Sequence, residues 1–111
     1  MTYEEHKTYN YENGCIYDGM WHGNKKHGQG TFTWPSGSKY TGEFVDDKRH
    51  GEGMLEYADG STYVGGWRNE YKDGSGKFTW IDNSCYDGDF RDDMMHGKGT
   101  FTWPSGTVYE G

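Results

Sequence analysis

Three histidines occupy equivalent positions along the chain and are the first candidates for chemistry. His27, His50 and His96 each precede two glycines separated by one residue. A column of imidazoles could ligate a metal or relay protons. If each stretch adds two strands to a sheet, neighbouring columns lie about 9.5 Å apart, whereas two ligands of one zinc lie within about 4 Å of each other. The column therefore predicts turn architecture and no metal site.

Paired acids and paired glycines offer two further kinds of site. Asp46 and Asp47, like Asp92 and Asp93, could serve acid–base or calcium chemistry. Their neighbours lack EF-hand spacing, and Asp in a hairpin turn satisfies local backbone donors. The glycine pairs of "HGQG" and "HGEG" could cradle a phosphate, but no Lys-Ser/Thr or helix start follows them. We therefore expect no catalytic residue, no cofactor and no enzymatic activity.

The composition limits the fold and the partners. Of 111 residues, 31% are hydrophobic and 18% are aromatic, with 19 glycines. This leaves little aliphatic material for a two-layer core, yet too many rings for a disordered glycine-rich linker. A net charge of −7 argues against nucleic-acid binding, which requires Lys and Arg against phosphate.

The cysteines and the hydropathy pattern bear on the compartment. Cys15 and Cys85 share no metal-type spacing. Two free thiols in a reducing compartment are the favoured interpretation, with a disulfide as the alternative. No apolar run approaches the roughly 18 residues of a membrane span. We expect a cytoplasmic protein, with a location peripheral to a membrane or the cytoskeleton as the alternative.

The elements that position these residues repeat with a period of 23. The clearest column is a tyrosine followed by glycine two residues later and, in the first four copies, a large aromatic two residues after that; its tyrosines are Tyr17, Tyr40, Tyr63, Tyr86 and Tyr109. A fixed period in this range indicates a repeat architecture. The segments "YTGEF" and "GTFTW" alternate as strands do, and "PSGS" and "ADGS" have turn chemistry.

Each 23-residue unit is therefore predicted to be a β-hairpin. The predicted fold is all-β, an elongated single-layer antiparallel β-meander with one aromatic face and one polar face. Pairing the strands symmetrically about their turns would place Trp21 opposite Gly30 and Tyr17 opposite Trp34. In that register a glycine seats the ring of a neighbouring strand, and Tyr and Trp form a continuous ladder.

The period divides the chain into consecutive segments. Residues 1–16 form an N-terminal half-repeat or cap. Four repeats follow at 17–39, 40–62, 63–85 and 86–108, and residues 109–111 start a truncated fifth. Because "YEG" would leave an open strand edge, we expect a fragment of a larger protein, a very short gene product or an end-to-end homo-oligomer.

These units resemble the MORN repeat, the membrane occupation and recognition nexus motif. "YTGEFVDDKRHGEGMLEYADGS" and "YDGDFRDDMMHGKGTFTWPSGT" follow its order of Y-x-G-x-W/F, polar turn, H-G-x-G, aromatic strand and D-G-S turn. Three positions depart from it: Asp73 replaces the His, Asn83 the turn Gly and Leu55 the aromatic. The resemblance implies a twisted single-layer sheet with a groove on its aromatic side, used as a binding module without catalysis of its own.

The aromatic face is the first candidate binding site. A single sheet cannot bury that face against a second layer, and exposed Trp and Tyr are typical contact residues. We expect a protein partner, as a helix or an extended peptide, on seven residues: Trp34, Tyr40, Tyr57, Tyr63, Trp80, Tyr86 and Trp103. The alternative that these rings only stabilise the sheet stays open.

A basic end of the repeat array is the second candidate site. Lys25, Lys26, Lys48 and Arg49 lie in two successive turn segments, whereas the later turns are neutral or acidic. They could contact a phosphoinositide or another anionic membrane surface. A third hypothesis, drawn from the resemblance, is that the chain is the targeting segment of a larger lipid kinase or lysine methyltransferase.

Overall fold

A computed structural model describes residues 4–111 of the chain, apart from the side chain of residue 4. The strands are β1 (Glu4–Asn10), β2 (Ile16–His22), β3 (Lys25–Thr33), β4 (Lys39–Val45), β5 (Lys48–Glu56), β6 (Thr62–Arg68), β7 (Tyr71–Thr79), β8 (Cys85–Arg91), β9 (Met94–Thr102) and β10 (Val108–Glu110).

The ten strands of the described residues form one open antiparallel sheet in chain order, β1 to β10. The molecule measures 51 × 28 × 17 Å, as expected for a single elongated layer. This confirms the predicted β-meander. Over residues 4–111 there is no helix, and hence none with the length and apolar character needed to cross a bilayer.

Two kinds of turn alternate along the sheet. The hairpin turns that join β4 to β5, β6 to β7 and β8 to β9 are two residues long, and in each both residues have positive φ, as at Asp46 and Asp47. Such turns match the right-handed twist of the strands they join. The turns of the opposite edge span five residues, such as Trp34–Ser38, where Trp34 N donates to Ser38 O at 2.9 Å.

The strand register differs from the predicted one by two residues. Gly19 lies opposite Gly30 and Tyr17 opposite Phe32, not opposite Phe32 and Trp34. The second glycine of each long strand therefore pairs with glycine, and ring pairs with ring beside it, whereas the first glycine lies opposite a ring of the next repeat, as Gly28 does opposite Phe44. The predicted alternation of ring and glycine and the continuous Tyr/Trp ladder are both wrong.

A β-bulge at the first glycine of each pair causes the difference. Between the pairs Gly19–Gly30 and Trp21–Lys26, β3 uses two more residues than β2. The extra length is taken up at Gly28, whose φ of 96° is unfavourable for any residue with a Cβ. Because Lys26 pairs with Trp21, its side chain is on the aromatic face.

The centre of the core is formed by tyrosine rings that cover glycines facing each other across the sheet, such as Gly42 and Gly53. Tyr17, Tyr40 and Tyr63 are 0% exposed. A Cβ added at Gly53 would overlap the ring of Tyr40, and one at Gly76 the ring of Tyr63. Each ring thus covers a glycine of its own hairpin, so a missing side chain makes room for the core of a one-layer protein.

Adding one methyl group beneath a tyrosine should destabilise the fold. Gly76 has no positive φ, so alanine fits its backbone, but the new Cβ would meet the Tyr63 ring. We expect Gly76→Ala to lower the free energy of unfolding by about 2 kcal/mol, as overpacking of a core does. Urea denaturation followed by tryptophan fluorescence measures the change.

The neighbouring residue supplies the control. Ser75 is exposed on the opposite face of the same strand, so Ser75→Ala should change the unfolding free energy by less than about 0.5 kcal/mol. If the two variants are equally stable, the tyrosine–glycine contact does not hold the sheet together.

Candidate functional site

The aromatic face carries two parallel rows of rings, of which the first is buried. This inner row comprises Trp21, Tyr17, Phe44, Tyr40, Trp67, Tyr63, Phe90 and Tyr86, in spatial order. Neighbouring rings meet edge to face, with interplanar angles of 89° for Tyr17–Trp21 and 86° for Tyr40–Trp67. Edge-to-face contacts suit the quadrupole of aromatic rings. The row runs without a break across all four hairpins.

The phenol groups of the inner row are hydrogen-bonded and shielded from water. Tyr40 Oη donates to the carbonyl of Glu43 at 2.8 Å, and Tyr63 Oη donates to that of Gly66 at 2.8 Å. Burial raises the pKa of Tyr17 to about 12 and that of Tyr40 and Tyr63 still further. These phenols therefore act as neutral structural donors.

The burial of this row corrects part of the candidate contact surface. Tyr40 and Tyr63 are 0% exposed and Tyr86 is also buried, so a partner laid on the face would not reach them. The sequence placed them on the accessible face because the assumed register put these tyrosines in a continuous ladder with the tryptophans. In the structure Tyr40 pairs with Phe32 and lies beneath the surface.

The second row is only partly buried and forms the accessible part of the face. This outer row comprises Tyr11, Phe32, Trp34, Tyr57, Phe78, Trp80, Phe101 and Trp103. Trp34, Tyr57 and Trp80 are half-buried, and Trp103 is 41% exposed. Ring contacts run from Tyr57 to Trp103 through Phe78, Trp80 and Phe101. Four of the seven predicted contact residues therefore lie in this row.

The outer row is interrupted in the second repeat. No ring contact joins Trp34 to Tyr57 among the described residues, because the aromatic position between them is occupied by Leu55, which is itself buried. The departure from the repeat pattern at this residue thus divides the row into a short segment before Leu55 and a longer one after it.

One cation per repeat lies over the rings in the first three repeats. Lys26, Arg49 and Lys72 have side chains only 15, 19 and 13% exposed. Lys26 Nζ lies 5.5 Å from the Phe32 ring centroid, and Arg49 Cζ lies 4.6 Å from that of Trp67. These distances fall in the range of cation–π attraction.

Each of these cations is also bound to the turn of the following repeat. Asp47 Oδ1 accepts a hydrogen bond from the backbone N–H of Lys26 at 2.8 Å, and the backbone N–H of Asp47 donates to the Lys26 carbonyl at 2.9 Å. Glu70 holds Arg49 in the same way, with an ion pair of 3.2 Å to Nε. We call these contacts, with Lys72–Asp93, the clasps; they tie successive hairpins together at the turn edge.

The clasps change the interpretation of the basic candidates. Lys26 and Arg49 are paired and cover the rings, so they are not available as free headgroup contacts in this structure. Lys25 and Lys48 point to the opposite face and are exposed. Sequence reasoning joined the four as residues of the turns. In the structure they belong to β3 and β5, and the alternation of side chains along a strand puts Lys25 and Lys48 on one face and Lys26 and Arg49 on the other.

The exposed cations belong to a longer stripe on the polar face. Lys25, Lys48, Arg68 and Arg91 supply one cation from each repeat, and over residues 4–111 none of them has an ion pair. Exposed Val45, Tyr71 and Met94 pair with three of them across the hairpins. We call these seven residues the turn-edge stripe. Sequence reasoning missed Arg68 and Arg91, which lie two residues before the clasp acids Glu70 and Asp93.

Two of the three histidines in the column accept a hydrogen bond from the turn of the following repeat. His27 Nδ1 accepts from the backbone N–H of Asp46 at 3.5 Å, and His50 Nδ1 from that of Asn69 at 3.3 Å. Within residues 4–111 no group of three or more His, Cys, Asp or Glu could hold a metal ion. Cys15 and Cys85 are free thiols.

The buried phenols make the fold sensitive to alkali. A phenol whose pKa is raised on folding stabilises the native state fully below its ordinary pKa of 10, and this contribution is lost as pH rises toward its folded value. For Tyr17 the loss spans pH 10 to about 12. We expect cooperative unfolding above about pH 10, with tyrosine absorbance at 295 nm and circular dichroism changing together.

Two phenylalanine variants identify the tyrosines responsible. Tyr17→Phe removes a group that must be ionised on unfolding, so stability should decline less between pH 10 and 12. Tyr109 is exposed, and Tyr109→Phe should leave the pH dependence unchanged. Identical alkaline profiles for the wild type and Tyr17→Phe would contradict this account.

Comparison with known proteins agrees with the geometry. The family model of the MORN repeat matches residues 17–39, 40–62, 63–85 and 86–108. No match was found among curated proteins. The four matches cover most of the chain and are the four hairpins that the inner row and the clasps join. The chain therefore belongs to the MORN repeat family and is a repeat-containing interaction or membrane-association module.

Proposed function

We propose that the chain is a non-catalytic scaffold that binds a helical segment of a protein partner along the outer row. The observation that carries the proposal is the difference in burial between the two rows of rings. The inner row is buried and self-sufficient, whereas the outer row leaves Trp34, Tyr57, Trp80 and Trp103 partly accessible. Accessible Trp and Tyr in one line are the residues that most often dominate protein interfaces.

The spacing of the repeats favours a helix as the bound segment. Each repeat adds two strands, or about 9.5 Å along the sheet. Seven residues of an α-helix rise about 10.5 Å, so apolar side chains at positions i and i+7 would meet equivalent rings of successive repeats. Such a helix lies in a groove with its apolar stripe inward, a common mode of peptide recognition.

The test is capture of a partner that depends on the outer row. Trp80 and Trp103 are replaced separately by alanine, and Tyr71→Ala is the control because Tyr71 is exposed on the opposite face. We expect each tryptophan variant to lower capture at least tenfold, as loss of an interface hot spot does, while Tyr71→Ala leaves it unchanged. Circular dichroism confirms that each variant is folded.

A protein captured equally by all the variants would show that the outer row is not the binding surface. The rings would then serve the sheet alone, as the competing hypothesis holds.

The turn-edge stripe favours a second function, attachment to an anionic membrane surface. Three of the five acids in the turns beside it, Asp47, Glu70 and Asp93, are held in the clasps. This leaves Asp46 and Asp92 against the four cations of the stripe, and exposed apolar side chains lie between the cations. Basic residues near an anionic bilayer contribute about 1 kcal/mol each, and apolar side chains enter the interface. The net charge of −7 opposes this binding.

Co-sedimentation with liposomes tests the membrane hypothesis. Replacing Lys25, Lys48, Arg68 and Arg91 by glutamate should abolish salt-sensitive binding to vesicles containing phosphatidylserine or phosphoinositide. The matched variant Lys26→Gln/Arg49→Gln removes two cations that lie on the other face and are held in clasps. If this pair matters as much as the stripe, or if the wild type does not sediment at low salt, the stripe is not a membrane site.

A further inference from the structure

The third and fourth repeats together form a pocket beside the outer row that differs from its counterpart earlier in the chain. The pocket has a volume of about 560 Å³ and is lined by Trp80, Ile81, Asp82, Ser84, Phe101 and Trp103. We call it the fourth-repeat pocket. Its rings lie close together and tilted, with centroids 5.2 Å apart for Trp80–Phe101 and 4.5 Å apart for Phe101–Trp103.

The equivalent pocket two repeats earlier is smaller and already contains a cation. It has a volume of about 270 Å³ and is lined by Trp34, Ser36, Ser38, Arg49, Leu55 and Tyr57. Five of these residues have a counterpart 46 positions later in the fourth-repeat pocket. The sixth is Arg49, whose guanidinium lies 5.7 Å from the Trp34 ring centroid.

Two changes reverse the charge of the pocket between these repeats. At the position of Arg49 the fourth repeat has Met95, which is 48% exposed and does not line the pocket. At the position of Ser36 the third repeat has Asp82, which lines the pocket. The earlier pocket thus has an internal cation and no acid, whereas the later one has an acid and no internal cation.

We propose that the fourth-repeat pocket binds a lysine or arginine side chain of the protein partner, over Trp80 and Trp103 and beside the Asp82 carboxylate. The partner's cation takes the place that Lys26, Arg49 and Lys72 occupy in the first three repeats. That the cation arrives on a protein partner rests on the proposed function. The partner segment is therefore a basic amphipathic helix, with its cation anchored in the fourth-repeat pocket.

The chemistry of the pocket fits this ligand. Tryptophan is the best cation–π acceptor among the aromatic residues, and the pocket has two, of which Trp103 is the most exposed ring of the outer row. A carboxylate at the rim adds a charge-assisted hydrogen bond. The net charge of −7 draws a basic partner to the surface.

A small probe tests the pocket without the partner. N-acetyl-arginine methylamide is titrated into ¹⁵N-labelled protein, and the indole N–H signals of the tryptophans are followed by NMR. N-acetyl-citrulline methylamide is the matched neutral probe, because it has nearly the same shape without the charge. We expect the arginine probe to shift the signals of Trp80 and Trp103 selectively, and the citrulline probe to shift them about threefold to fivefold less at equal concentration.

Two substitutions and one control locate the binding. Met95→Arg supplies an internal cation, and Asp82→Asn removes the charge while keeping an oxygen that can accept from Ser84 N, as Asp82 Oδ1 does at 2.8 Å. Each should weaken the response about threefold or more. Asp59→Asn is the control, since Asp59 holds Ser61 N in the same way in the second repeat, and the cation position of the next repeat is occupied by Lys72.

Equal responses to the two probes, or a response unchanged by Met95→Arg and Asp82→Asn, would overturn the inference. No shift at Trp80 and Trp103 at probe concentrations of tens of millimolar would also overturn it. Each of these three outcomes would leave the outer row as a docking surface, because partner capture is measured separately. If the arginine response is found but capture does not depend on the outer row, the pocket stands and the proposed function fails.

Discussion

The structure depends on one contact, the tyrosine ring lying over a pair of facing glycines. A single sheet has no second layer to cover its apolar face, so the cover must come from its own side chains. Gly65 and Gly76 face each other across β6 and β7, and their missing side chains leave a depression that the Tyr63 ring fills. The hydroxyl group reaches the Gly66 carbonyl, so the ring is buried without an unsatisfied polar atom.

This contact explains how the inner and outer rows of the aromatic face acquire different roles. Because the inner row is complete in itself, the outer row is not required to close the core, and its tryptophans remain available. The clasps add a second link between repeats, in which a turn acid holds the preceding backbone and its cation at once. At the equivalent position of the fourth repeat Met95 carries no charge, so no internal cation covers the rings of the fourth-repeat pocket, whose lining includes Asp82.

Much of this organisation could be predicted from the sequence. The period of 23 gave the four hairpins, and alternation gave the two faces, because both depend only on local spacing. The register did not follow, since the bulge at Gly28 and its equivalents changes the count of residues between paired positions by two. That change moved Tyr40 from the surface to the core and moved Lys26 from the turn edge onto the rings.

The functional surfaces were only partly predictable for the same reason. Trp34 and Trp80 were assigned to the aromatic face by alternation alone, and the structure places them there. Arg68 was not assigned to a basic site, because it lies across the hairpin from Tyr71 and far in sequence from Lys25. The reversal of charge between the two pockets required knowing that Arg49, and not a turn residue, fills the earlier one.

The most direct test of this account is hydroxyl-radical footprinting of the folded protein, read residue by residue by mass spectrometry. The account predicts that Tyr17, Tyr40, Tyr63 and Trp67 are protected, while Trp34, Trp80 and Trp103 are oxidised. Protection of both rows would mean that the outer row is closed to partners. Oxidation of the buried tyrosines at the rate of Tyr71 or Tyr109 would contradict the claim that their rings, held over the glycine pairs, form the core.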